Sequence, residues 1–92
     1  MRIIGYLDHP SLKITVFKMD NRISVKFETG FLEQTYKFPL DIHLQTLEDV
    51  RRLVNTEFTE SVREEFNRMH RISLRALSNR PDPSTGGFEE II

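Results

Sequence analysis

The chain has 92 residues, no cysteine, 38% hydrophobic and 29% charged residues, and a formal net charge of −1. That composition fits one ordinary folded domain and excludes disulfide scaffolds, zinc–thiolate sites and thiol catalysis. No apolar run approaches the ~20 residues that span a bilayer, no signal peptide is expected, and near-neutral charge gives no global pull toward nucleic acid or an anionic membrane.

Strand signals dominate the first 38 residues. Segments 2–7 and 12–19 flank Asp8-His9-Pro10-Ser11, a cluster of turn formers. Segment 22–28 follows Asp20-Asn21, whose residue types tolerate the positive φ of a tight two-residue turn. That turn sets Val16 opposite Val25, Ile14 opposite Phe27 and Lys13 opposite Glu28. A one-residue slip would move every one of these side chains to the wrong face, so their agreement fixes the register. A Thr29-Gly30 reversal then leads into segment 31–38, with Lys26 opposite Glu33 and, less comfortably, Val25 opposite Gln34. Four consecutive antiparallel strands of this kind form a β-meander.

Pro39 closes the sheet, since proline offers no amide to a ladder, and residues 40–45 connect to a helical pattern. Leu47, Val50 and Val54 recur at helical spacing, with Thr46 placed as N-cap and Asp49 three residues on. Val62, Phe66, Met69, Ile72 or Ser73, and Ala76-Leu77 form a second stripe over about 60–78, with Thr59 or Ser61 as its cap. No glycine or proline separates the stripes, so one bent helix of about 30 residues remains open; two helices suit so small a sheet better. Acids gather in the first half of the second helix and Arg68, Arg71, Arg75 and Arg80 in its second, as the helix dipole favours, with Glu64 and Arg68 as an i,i+4 pair. Such a helix, about 27 Å long, outruns a seven-residue strand of about 23 Å, so its Arg-rich end is expected to overhang the sheet.

The expected fold is therefore α+β: a four-stranded antiparallel β-meander followed by two C-terminal helices packed on one face, a single domain over 1–80 with a flexible tail over 81–92.

Little in the chain carries chemistry. His9, His43 and His70 fall in a turn, a connector and a helix, and none has a second histidine at ligand spacing. No nucleophile elbow, phosphate loop or dinucleotide fingerprint is present, so no enzyme, metal or cofactor is expected. The outer face of the sheet is the better candidate. Taken through the registers, it carries Arg2, Ile4 and Tyr6, then Lys13, Thr15, Phe17 and Met19, then Arg22, Ser24, Lys26 and Glu28. The helices are expected to cover only the opposite face, with Ile3, Ile14, Val16, Val25 and Phe27 among its residues. Ile4, Tyr6, Lys13, Phe17, Arg22 and Lys26 are thus the candidate contact residues. Aromatics among bases grip single-stranded nucleic acid, and an exposed apolar patch with mixed charge equally suits a protein interface. The favoured expectation is a small cytoplasmic interaction module, self-associating or bound to a protein partner and away from membranes; single-stranded nucleic-acid binding is the alternative.

Overall fold

Alternation of apolar and polar residues builds the sheet. In the computed structural model, which describes residues 1–79, β1 (Arg2–Leu7), β2 (Lys13–Met19), β3 (Arg22–Thr29) and β4 (Leu32–Pro39) form one antiparallel meander in sequence order. Two helices follow, α1 (Leu47–Leu53) and α2 (Thr56–Ser78). The fold is the expected α+β arrangement; the segment expected as a tail lies outside the described residues.

The β2–β3 hairpin has the register read from the sequence: Lys13 pairs with Glu28, Ile14 with Phe27 and Val16 with Val25 around an Asp20-Asn21 tip. Its tip needs no left-handed residue, because neither Asp20 nor Asn21 has positive φ. The β3–β4 hairpin is displaced by two residues from the expected register. Lys26 pairs with Thr35, Glu28 with Glu33 and Thr29 with Leu32, so Gly30-Phe31 is the turn. Gly30 has φ +58° and Phe31 does not have positive φ, the signature of a turn with glycine at its first central position. A two-residue shift keeps every side chain on its face. Phe31 consequently leaves the strand and becomes the tip.

β1 departs further. Ile3 pairs with Phe17 and Gly5 with Val16, which leaves Ile4 as the extra residue of a β-bulge. The bulge reverses alternation before Gly5. Ile4 turns inward against the core, whereas Ile3 joins Phe17 on the outer face and stands half exposed. Arg2, now level with Lys18 and Ile23, leaves the outer face as well. At Gly5 the sheet meets α1 closely: a Cβ there would lie 2.5 Å from Leu47 Cδ2.

The core lies between the sheet's inner face and the helices. Ile14, Val16, Ile23, Val25 and Phe27 meet Val50, Val54, Val62 and Phe66. Phe58 sits at its aromatic centre, stacked on Phe27 at 5.7 Å and edge-on to Tyr36 at 5.3 Å. The helices are separate because the chain leaves helical geometry at Val54 and Asn55. Thr46 and Asp49 form the expected capping box on α1. α2 starts earlier than its apolar stripe suggests: Asn55, not Thr59 or Ser61, is the cap, its Oδ1 accepting from Phe58 N at 2.9 Å. Thr59 instead donates its hydroxyl to the Thr56 carbonyl at 2.9 Å.

Candidate interaction surfaces

Cross-strand pairing arranges the outer face in rows. One runs Tyr6, Thr15, Lys26, Thr35; the next runs Ile3, Phe17, Ser24, Lys37. Thr15 and Ser24 are buried between larger neighbours. Lys26 Nζ stands 5.5 Å from the centre of the Phe17 ring and 3.7 Å from Glu28 Oε1. Of the six candidate residues, Tyr6, Phe17 and Lys26 therefore share one patch. Ile4 is removed from it by the bulge and Ile3 takes its place. Lys13 and Arg22 stand at opposite ends, level with Glu28 and Met19 respectively, about 20 Å apart along the strand direction. Arg22 is half-buried, its Nε enclosed and without an acceptor among the described residues. The bases thus form no continuous track, and Glu28 and Glu33 face each other across β3 and β4. Opposed like charges on a sheet are unfavourable, and the Lys26 ammonium beside Glu28 relieves part of that repulsion.

Several titratable groups serve turns and caps. His9 Nδ1 accepts from the amides of Ser11 (3.1 Å) and Leu12 (3.2 Å), closing the β1–β2 loop. Asp41 Oδ1 accepts from His43 N at 2.7 Å, an Asx turn in the connector. Asp49 accepts from the Gln45 and Thr46 amides, which hold its carboxyl below the usual value. Among the described residues, no group of three or more His, Cys, Asp or Glu is placed to hold a metal.

A second surface is larger and was only half visible in the sequence. α2 has 23 residues, about 34 Å at 1.5 Å per residue. Its buried residues end at Phe66. Beyond Met69, the last residue of α2 that packs against the core, the helix outruns the sheet, as its length suggested, but what overhangs is apolar as well as basic. Ile72, Leu74 and Leu77 are each more than half exposed, and Phe31 at the β3–β4 tip is fully exposed. Between tip and helix lies an open groove of about 690 Å³, lined by Phe31, Leu32, Phe66, His70, Leu74 and Leu77 among others. Among the described residues, no Asp, Glu, Lys or Arg lines it. Arg68, Arg71 and Arg75 lie on the far side of the helix at 100° per residue, with Arg68 paired to Glu65 at 3.1 Å rather than to Glu64. The sequence signal for this surface was the stripe Phe66, Met69, Ser73, Leu77 continuing past the length of the sheet.

Comparison of the chain with protein-family models, with curated proteins and with solved structures finds no match.

Proposed function

We propose that this chain is a non-catalytic interaction module that self-associates. One observation carries the reading: the fold leaves a contiguous apolar surface outside its own core. Phe31, Leu74 and Leu77, which line one groove, present on the order of 350 Å² of apolar area, a fully exposed phenylalanine alone giving ~200 Å². Patches of that size on small proteins are often contact sites. The chemistry agrees, since the His9 ring, Asp41 and Asp49 serve turns and a cap, and Glu28, Glu48, Glu60 and Glu65 are paired with Lys or Arg. No helix among the described residues is long and apolar enough to cross a membrane, so that surface is not read as a span.

The test is light scattering after size exclusion, across a dilution series, with and without a mixed single-stranded oligonucleotide pool. A concentration-dependent oligomer indifferent to oligonucleotide supports the reading; a monomer at every concentration removes it. The second reading, single-stranded nucleic acid on the outer face, draws on Tyr6 and Phe17 beside Lys26. It requires binding that weakens steeply with salt and that Lys13→Glu with Lys26→Glu abolishes. The Lys26–Glu28 pair and the opposed Glu33 make it the weaker of the two.

A further inference from the structure

Resting on the self-association reading above, we infer that the assembly is a two-fold dimer built on the overhang of α2, with Phe31 of each copy seated in the groove beside α2 of the other. The apolar stripe of α2 does not stop where the sheet stops. Val62 and Phe66 are buried, and Met69, Ser73 and Leu77 continue at the same helical phase, with Leu77 more than half exposed. Past Met69, the last residue of α2 that packs against the core, the remaining turns of helix have few tertiary contacts and gain little from propensity alone. A second apolar surface laid along them supplies the missing stabilisation.

The occupant is read from the shape and charge of the surface itself. Phe31 is a fully exposed aromatic knob at a turn position that any polar residue would fill as well. It stands at the rim of a groove with no charged lining among the described residues. A knob and a fitting groove on one surface are what an isologous contact requires, since residue i must meet j while j meets i. A partner selected by charge would need counter-charges here, and the described residues offer none. Two copies can approach without like-charge repulsion, because Arg68, Arg71 and Arg75 remain on the solvent side of each helix. Phe31, Leu74 and Leu77 supply on the order of 350 Å², about two-thirds of the ~520 Å² apolar share of one side of a standard contact of ~800 Å² per side.

The experiment is sedimentation equilibrium on the full chain, alongside Leu77→Asp, Phe31→Ser, Phe17→Asp and a deletion of residues 81–92. Residues 31 and 77 lie outside the core, so circular dichroism of dilute samples should show each variant folded. The expected result is a wild-type dimer whose dissociation constant rises at least about tenfold in Leu77→Asp and in Phe31→Ser. Phe17→Asp and the deletion should leave it unchanged. A wild-type monomer would end the self-association reading and this dimer with it. A dimer untouched by Leu77→Asp and Phe31→Ser but lost in Phe17→Asp would keep self-association, move it to the sheet face, and overturn the inference. A groove filled by the chain's own C-terminal segment would reveal itself as a deletion that alters assembly, and that too would overturn it.

Discussion

Gln34 shows how a single side chain can be read correctly for its face and wrongly for its partner, which is Phe27 rather than Val25. On β4 it interrupts an apolar face, which in sequence looks like a mismatch against Val25. In the fold it is buried and fully used: Nε2 donates to the Val62 carbonyl in α2 at 2.9 Å, and Oε1 accepts from the Tyr36 hydroxyl. The pair ties sheet to helix across the core, and no local pattern reveals it because the accepting carbonyl lies 28 residues on. Gln34→Ala leaves the Tyr36 hydroxyl without its acceptor and removes the bond to the Val62 carbonyl, which keeps its helical partner, and should cost about 1–2 kcal/mol in urea melts; Tyr36→Phe should cost about 1 kcal/mol. Burial, and then the charge of Glu65, push the Tyr36 hydroxyl above its ordinary value of 10.0. A raised value favours the protonated phenol in the folded state. Its contribution is therefore complete below about pH 10 and is lost as pH climbs through the folded value. Tyr36→Phe should flatten that alkaline limb, and an unchanged limb would assign the loss to other groups.

Elements were legible where several residues agreed and illegible where one residue decided. The β2–β3 register follows from three pairs that match at once. The β3–β4 register did not, since the candidate turns Thr29-Gly30 and Gly30-Phe31 keep the same residues inward and differ only in which central position the glycine takes. In β1 a lone glycine within a strand was the signal for a bulge, and missing it exchanged Ile3 with Ile4 in the candidate site. Gly5 is held by close approach, so Gly5→Ala should force Leu47 to move and cost roughly 1–3 kcal/mol. Leu47→Ala in the same chain should recover part of that loss, a coupling that a double-mutant cycle measures directly. The capping box on α1 offers a separate test. Thr46→Ala removes the hydroxyl that accepts from Asp49 N at 3.1 Å and should cost about 1 kcal/mol. Asp49 is held below its ordinary value, chiefly by the Gln45 and Thr46 amides. Its contribution is thus present above about pH 4 and disappears as pH falls through the folded value, and Asp49→Asn should reduce the acid sensitivity of the melting temperature.

At the scale of the whole molecule, the governing fact is a mismatch of lengths. A sheet whose longest strands have eight residues spans about 27 Å, and α2 is longer than the surface available to it. The helix is consequently two materials in one element. From Thr59 to Phe66 it is anchored by Val62, Phe66 and the bond from Gln34; from Ile72 onward it has solvent around its large apolar residues. Stability follows contact, so opening should be global in the first part and local in the second. Amide exchange at concentrations dilute enough to keep the chain monomeric should show protection near the global value around Val62, falling by orders of magnitude toward Ser78. Raising the protein concentration should restore protection to residues 72–78 while leaving Val62 unchanged, since only the overhang gains a partner. Uniform protection along α2 in the dilute monomer would mean that the overhang is already stabilised within one chain, and the apolar stripe would then need no second copy to explain it.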